Sequence, residues 1–396
     1  MTAASRRVIA FVNAGHVIDH LHMLILPTAV LGMGDAFGLS YGELLALSLG
    51  GFIAFGAGSI PAGWLGDRWS RRNMMAVFFL GIGAATALTG LADTPWQLAA
   101  GITLVGVFGS IYHPVGTAML TAHAGRLGRE IGINGVWGNL GIAAAALVAG
   151  GLTQWFGWRM AFVVPGVVAV AVGLLFLALV PDAPAPARAA ARTTANLPRG
   201  VVVRAFSVLA VTTVAGGVVF NAATVSLPKL FDERLLAVAG TPLGVGALVS
   251  AIYALGATSQ LIIGHLLDRY TLRRVFLPLA ALQAPGLLLA ATVEGWALVA
   301  PALLMMFAIF GQVTINDTMV AKYTTESWRA RAYAVRYFVS FAASALAVPL
   351  VGGLHAAGGF AVVYQVLAAF GLAIVLAAVA FPHRPDELEP APAPAE

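Results

Sequence analysis

The sequence predicts an all-α polytopic membrane protein, with twelve transmembrane helices in two homologous six-helix bundles. Of its 396 residues, 60% are hydrophobic and 10% are charged, and the mean hydropathy is +0.89. Soluble domains carry about 25% charged residues, so this composition excludes an ordinary soluble protein. Apolar runs of about 20 residues, each long enough to span a bilayer as a helix, follow one another along the chain.

Helices are the predicted form of these runs, because each apolar run is uniform rather than alternating. A helix satisfies its own backbone hydrogen bonds in hydrocarbon, whereas a barrel strand would alternate in polarity. The first six spans are predicted over about 8–34, 40–66, 73–92, 96–122, 131–153 and 158–180, and the second six over about 203–231, 243–267, 275–292, 296–321, 331–354 and 359–381. We predict an N-terminal bundle over 1–180, a Pro/Ala/Arg-rich cytoplasmic linker over 181–200, a C-terminal bundle over 201–382 and a disordered cytoplasmic tail over 383–396.

A glycine- and arginine-rich segment between the second and third spans recurs between the eighth and ninth. The aspartates of the two copies are 201 residues apart, and Gly109 and Gly311 are 202 residues apart. A register that holds along the chain indicates two homologous halves, a repeat pattern known from transporters. We predict that both segments are cytoplasmic hinge loops, and the candidate gating residues, whose role follows from the family resemblance described below, are Gly63, Asp67, Arg68, Arg71 and Arg72 in the first and Gly264, Asp268, Arg269, Arg273 and Arg274 in the second.

The net charge is +5, but the positively charged residues follow the membrane topology and do not form one nucleic-acid-binding patch. Arginines lie before the first span, in every second break between spans and near the tail, whereas the other breaks hold little beyond Arg159, Lys229 and Arg234. This asymmetry follows the positive-inside rule and predicts a multi-pass protein of the cytoplasmic (inner) membrane with both termini cytoplasmic. The chain contains no cysteine, so disulfides and thiolate chemistry are excluded.

Span 1 carries the strongest candidates for function: His16, Asp19 and His20. Asp19 lies about 11 residues into the span, near the bilayer midplane at 1.5 Å per residue. A carboxylate at that depth costs about 2.5–3.5 kcal/mol on insertion scales and normally marks a substrate or proton path. Two alternatives to a substrate or proton path remain for these residues: structural hydrogen bonds and a metal site. Because a structural zinc site needs four ligands and no second cluster is visible, we predict no metal.

Further candidates lie on other spans. His113 precedes Pro114, whose missing amide bends span 4 and favours a cavity lining over lipid contact. In the second half, Asp317 and Arg336 have matching depths, so they can form an ion pair whose role is either structural or in substrate binding. The halves are thus chemically unequal, and we hypothesise that an anionic or zwitterionic substrate group meets Arg336 or Lys229 while Asp19 handles a proton.

The repeated loop, a glycine followed by Asp-Arg and paired arginines, resembles the signature loop of the major facilitator superfamily. The resemblance extends over the whole chain, since two six-span halves joined by a cytoplasmic linker are also that family's plan, and it implies that the loop aspartates latch one gating state. The motifs Tyr112–Gly116 and Gly138–Gly141, with His16 and Asp19, resemble the fosmidomycin-resistance-type branch. That branch implies efflux of small molecules by proton exchange.

The sequence therefore predicts a proton-coupled secondary efflux transporter that works by alternating access, not an enzyme, with no catalytic residue and no cofactor. Its expected partners are a small-molecule substrate, protons and membrane lipid, and no nucleic acid. Uptake or facilitated diffusion of a small organic anion or metabolite is the alternative. A metal-dependent membrane enzyme, which would contain bound metal, and a non-transporting receptor, which would tolerate loss of Asp19, are remote alternatives.

Overall fold

The computed structural model describes residues 2–33, 36–125, 127–182, 198–235, 240–324 and 326–382, with the backbone alone at 127–129, 321, 326–331, 333–334 and 344. Helices make up nearly all of this part, and no strand occurs in it. In chain order they are α1 (Ala3–Met23), α2 (Leu26–Ala29), α3 (Tyr41–Ala46), α4 (Leu49–Arg68), α5 (Arg71–Thr89), α6 (Pro95–Gly109), α7 (Thr117–His123), α8 (Leu127–Phe156), α9 (Trp158–Leu179), α10 (Arg199–Arg234), α11 (Pro242–Arg269), α12 (Leu272–Thr292), α13 (Val299–Tyr323) and α14 (Glu326–Ala380). The predicted tail, 383–396, and most of the predicted linker lie outside the described residues.

Eleven helical stretches of the described chain are long and apolar enough to cross a membrane. The last of them, Val335–Ala380, has 46 residues and covers both the eleventh and the twelfth predicted span. Gly358 and Gly359 leave helical geometry inside it, with φ of 65° at Gly359, and divide it at the predicted boundary. The all-α fold with twelve spans is thereby confirmed.

The predicted hinge loop between the second and third spans is much shorter in the structure. Helix α4 continues to Arg68, and α5 begins at Arg71, so that only Trp69 and Ser70 connect them. The Ser70 hydroxyl accepts from the backbone amide of Asn73 at 3.1 Å and caps α5. Asp268 and Arg269 likewise belong to the last turn of α11, because a continued helix satisfies backbone groups that an open loop would expose.

The chain forms two compact units. Of the described residues, those within 1–188, 224–254 and 348–356 form the first unit, and those within 189–223, 255–347 and 357–396 form the second. The first unit therefore contains the predicted N-terminal bundle and two stretches of the predicted C-terminal half. Its core includes Phe78, Phe79 and Tyr112, whereas Phe276 and Phe381 lie in the core of the second unit.

Two glycines of the Gly-Asn-Leu-Gly motif allow α8 to approach α1 closely. A Cβ on Gly138 would lie 2.6 Å from the imidazole of His16, and a Cβ on Gly141 would lie 2.5 Å from the carbonyl oxygen of Val17. Small residues of this kind let membrane helices pack with their backbones in contact. The His16 ring therefore packs directly against the backbone of α8 at Gly138.

Candidate functional site

Asp19 is wholly buried in α1, in the first unit. Neither carboxylate oxygen has a hydrogen-bond partner among the described residues. The imidazole of His113 is its nearest titratable neighbour, with 3.4 Å between His113 Nε2 and Asp19 Oδ2. A carboxylate buried without hydrogen bonds is costly, so its presence calls for a functional explanation.

His113 reaches Asp19 because the fourth span widens where it contains Pro114. Helix α6 ends at Gly109, residues Tyr112–Gly116 form one π-helical turn, and α7 starts at Thr117. Proline has no amide to donate to the preceding turn, and single π turns are frequent at functional sites. The wide turn presents the side chains of Tyr112 and His113 to α1 together.

Three imidazole rings form one cluster beside Asp19. His16 Nε2 and His20 Nε2 are 3.1 Å apart, and the ring centroids of His16 and His113 are 5.4 Å apart. One nitrogen from each of the three histidines lies within 4.8 Å of the others, which makes them possible metal ligands. The one-turn spacing of His16 and His20 predicts that these two side chains lie together, but only the structure shows that His113 joins them.

A hydrogen-bonded network behind the cluster orients it. His16 Nδ1 is 2.7 Å from the carbonyl oxygen of Asn134. The side-chain amide of Asn134 donates to Asn13 Oδ1 and to the Tyr112 hydroxyl, each at 2.9 Å. The Tyr112 hydroxyl donates to the carbonyl oxygen of Val12 at 3.0 Å. Sequence analysis did not single out the two asparagines as site residues, although two amides on apolar spans are a signal for such a network.

The buried charge of the second unit is an ion pair. The Arg336 guanidinium donates to Asp317, so the predicted pair is present, and it also lies 5.2 Å above the ring of Tyr337. Asn316 Oδ1 accepts from Gln312 at 3.1 Å and from Thr212 at 3.0 Å beside the pair. A role in substrate binding stays a prediction.

Lys229 lies in a separate network of acids within the first unit. Its ammonium is 2.7 Å from Asp232 and 3.9 Å from Glu233, one turn further along α10. His355 Nε2 is 3.1 Å from Glu233 as well. Lys229 belongs to a different unit from Arg336.

The first signature segment packs against the end of the sixth span. Asp67 accepts from Arg71 at 2.6 Å, across the short connection. Arg72 donates to the carbonyl oxygens of Leu177 and Val180 at 2.7 and 2.9 Å, and Ser70 donates to Asp182 at 2.7 Å. Gly63 lies inside α4, and Arg68 covers the ring of Trp64 at 4.8 Å. In the second copy, Gly264 lies inside α11, and Arg273 and Arg274 lie in the first turn of α12.

Comparisons with known proteins agree with this architecture. The sequence profile of the Major Facilitator Superfamily matches residues 15–238 and 235–396. The chain is 32% identical over 121 residues to the puromycin resistance protein of Streptomyces alboniger, and 30% identical over 181 residues to the probable actinorhodin transporter of Streptomyces coelicolor. These alignments cover 30% and 43% of this chain but only 24% and 31% of the two relatives.

Among solved structures, the chain resembles that of a bacterial homologue of the human lysosomal transporter Spinster in an inward-facing, unoccupied conformation. The TM-score is 0.77 at 16% sequence identity, and the match covers 96% of this chain and 97% of the other. At this identity the likeness establishes the fold alone.

Proposed function

Because the chain belongs to the Major Facilitator Superfamily, a family of membrane transporters, we propose that it exports a small organic molecule by alternating access in exchange for protons. One observation carries the proposal: Asp19 is wholly buried on the first span beside His113. Insertion of such a carboxylate costs about 2.5–3.5 kcal/mol, a penalty that membrane helices usually carry only on substrate or proton paths. Under the proposal Asp19 couples transport to the driving ion, and His16, His20 and His113 contact the substrate or the proton.

The relatives support export as the direction. One is named for puromycin resistance, and the other is named a probable transporter of actinorhodin. The resemblance to the fosmidomycin-resistance-type branch points the same way and remains a proposal, as does placement in the cytoplasmic membrane with both termini cytoplasmic. The substrate class under this proposal is a small toxic organic compound.

As a second part of the proposal, Arg336 binds an acidic group of the substrate. Its guanidinium already contacts a carboxylate, that of Asp317, and 37% of the Asp317 side chain is exposed against 7% of the Arg336 side chain. An incoming carboxylate or phenolate can replace that contact, because arginine binds such groups through the same planar set of donors. Lys229 is the weaker candidate, since two acids of its own helix hold it.

The experiment that tests the proposal measures proton movement in inverted vesicles under an imposed pH gradient. Puromycin and a panel of small toxic aromatic compounds are added to the wild-type protein, to Asp19→Asn and to the control Asp93→Asn. Asp93 is exposed and pairs with Arg159 at 2.9 Å, so its loss leaves the site intact.

We expect proton release driven by at least one compound in the wild type and in Asp93→Asn, and none in Asp19→Asn. Compound movement without a proton signal, equal in all three proteins, would make a facilitator or an importer the better description of the chain.

A further inference from the structure

We propose that His16, His20 and His113 form a binding site for a divalent transition-metal ion of the zinc type, with the carboxylate of Asp19 beside His113. We also propose that the bound ion blocks export. Metal binding itself is independent of the transport proposed above, and only the blocking effect rests on that function. The sequence alone predicted no metal, because a structural zinc site needs four ligands and no second cluster is visible in the sequence.

The candidate ligand atoms lie close enough together to hold one ion. Zinc binds imidazole nitrogen at about 2.0–2.1 Å, which puts the ligand atoms of a tetrahedron about 3.3–3.4 Å apart. The two Nε2 atoms of His16 and His20 are 3.1 Å apart, and one nitrogen of each of the three histidines lies within 4.8 Å of the others. One edge of a tetrahedron is therefore already formed, and a water molecule or a substrate group can complete the coordination.

The His16 ring is held in the orientation that a metal ligand needs. Its Nδ1 is 2.7 Å from the carbonyl oxygen of Asn134, and a carbonyl oxygen can only accept. Nδ1 therefore carries the proton, and Nε2 presents its lone pair towards His20. Metal-bound histidines almost always donate their second nitrogen to a carbonyl or carboxylate in this way. A metal ion can take the place of the hydrogen bond between the two Nε2 atoms.

Asp19 supplies the charge that such an ion requires. Its two oxygens are fully buried and have no hydrogen-bond partner among the described residues, an arrangement that an unseen ion would explain. Three neutral imidazoles leave both charges on a bound dication, and the Asp19 carboxylate, 3.4 Å from His113 Nε2, offsets one of them. Imidazole-rich sites favour zinc, copper and nickel, whereas magnesium and calcium prefer oxygen ligands.

The surroundings explain why the bound ion blocks movement of the substrate. The ligands come from α1 and from the π turn at Tyr112–Gly116, so the ion ties two spans together. Phe55 and Tyr112 contact the histidine rings, with centroid distances of 5.8 Å to His113 and 4.8 Å to His16. An ion held here lies beside the Asp19 carboxylate and offsets the negative charge that export is proposed to use.

The test of binding uses the purified full-length protein in detergent after removal of any affinity tag. Isothermal titration with Zn²⁺ is followed by titration with Mg²⁺, for the wild type, His20→Ala, His113→Gln and the control His123→Gln. His123 lies outside the cluster and bonds the carbonyl oxygen of Met119 at 2.9 Å, so it is a matched histidine on the same span. All proteins are first compared by size-exclusion chromatography.

We expect one Zn²⁺ per wild-type chain and no binding of Mg²⁺. Loss of a ligand should weaken Zn²⁺ binding by roughly tenfold or more, since even outer-shell changes cost about 10–100-fold. His123→Gln should bind as the wild type does. Co²⁺ added to the wild type should give the intense visible absorption of tetrahedral coordination, which keeps the proposal testable if the variants do not fold.

Failure of the site and failure of the function give different results. Absence of Zn²⁺ binding and of the Co²⁺ spectrum in the wild type, or unchanged binding in folded His20→Ala and His113→Gln, would overturn the metal site. In vesicles that show compound-driven proton release, Zn²⁺ should abolish it; undiminished release at saturating Zn²⁺ would overturn the blocking effect while leaving the site. Vesicles without any compound-driven release would count against the proposed export alone.

Discussion

At the scale of single residues, Tyr112 joins three elements through one hydroxyl group. That hydroxyl donates to the backbone of α1 at Val12 and accepts from Asn134 on α8, while the ring stacks on His16 with 4.8 Å between centroids. Buried hydroxyls within membranes have no water to replace a lost partner. The contact therefore contributes to the stability of the first unit and supports the position of the His16 ring.

Substitution of Tyr112→Phe removes the hydroxyl and keeps the ring. Hydrogen bonds between membrane helices contribute about 0.6 kcal/mol on average and at most about 1.7. With two bonds lost, we expect the free energy of unfolding in detergent to fall by about 1–2 kcal/mol. Chemical unfolding followed by tryptophan fluorescence measures the change.

The control for that measurement is Tyr270→Phe, because Tyr270 is half exposed in the short connection after α11. Its loss should leave the free energy of unfolding unchanged. If Tyr112→Phe were as stable as the wild type, the hydrogen bonds of this network would contribute nothing to the free energy of unfolding. The orienting role of Asn134 would then be untenable.

The sequence predicts the site where residues are close along one helix and fails where they meet across helices. His16, Asp19 and His20 fall within one turn, so helical geometry alone joins them. Asn13 and Asn134 lie on two different spans, and the order of residues along the chain does not show how these spans turn towards each other. The acids beside Lys229 were within reach of sequence reasoning, since Asp232 and Glu233 follow at the spacing of one turn.

At the scale of elements, the wide π turn in the fourth span decides whether His113 belongs to the site. A regular helix has 3.6 residues per turn, and the extra residue of a π turn rotates everything that follows by about 100° relative to it. Pro114 lies within this turn and cannot donate to the residue one turn back. The proline therefore favours the turn that brings His113 to Asp19.

Restoration of the amide by Pro114→Ala should let the fourth span return to regular α-helical geometry. We expect His113 to turn away from Asp19, Zn²⁺ affinity to fall by roughly tenfold or more as for loss of a ligand, and compound-driven proton release to fall. The stability of the protein should hold or rise, because alanine favours a helix interior by about 3 kcal/mol over proline. Zinc titration and unfolding on the same preparation measure both effects.

The matched control is Pro285→Ala, which removes a proline from the interior of α12 in the second unit. It should leave Zn²⁺ binding unchanged. If Pro114→Ala kept full Zn²⁺ affinity, the π turn would have no part in placing His113.

The ends of the elements were predicted less well than their number. Length and hydropathy predict twelve spans because a bilayer requires about 20 apolar residues for each. The signature segments read as open loops because they are polar and contain glycine, yet α4 and α11 run through most of them. Helical hydrogen bonds and caps such as Ser70 settle these boundaries, and composition alone does not reveal them.

At the scale of the whole molecule, the duplicated chain carries different chemistry in its two halves. The first half has Asp19 with three histidines, and the second half has the pair of Asp317 and Arg336. The repeat was predictable because the signature segment recurs in register. The acid of the first half and the arginine of the second could be named from the sequence as candidate residues. Their partners could not, because these depend on how the helices pack.

Two glycines from different halves of the sequence touch within the first unit, on the side predicted to face away from the cytoplasm. A Cβ on Gly42, at the start of α3, would lie 3.3 Å from the Cα of Gly352 in α14, and the reverse distance is also 3.3 Å. Tyr41 beside it contacts His355, with 5.3 Å between ring centroids. Alternating access requires the halves of a transporter to separate in one phase of the cycle on each side of the membrane. This contact should therefore break once in every transport cycle.

A cysteine pair tests that expectation directly, because the native chain has no cysteine that could interfere. Gly42→Cys combined with Gly352→Cys places two thiols within the short reach of a disulfide. We expect oxidation to cross-link the pair and to lower compound-driven proton release by at least about tenfold, since a closed contact cannot reopen while the bond holds. Addition of a reductant should restore the release. Oxidised single-cysteine proteins serve as controls and should transport as before. Because the proposed mechanism needs this contact to open, a cross-linked protein that exported at the rate of its reduced form would exclude alternating access through this side of the molecule.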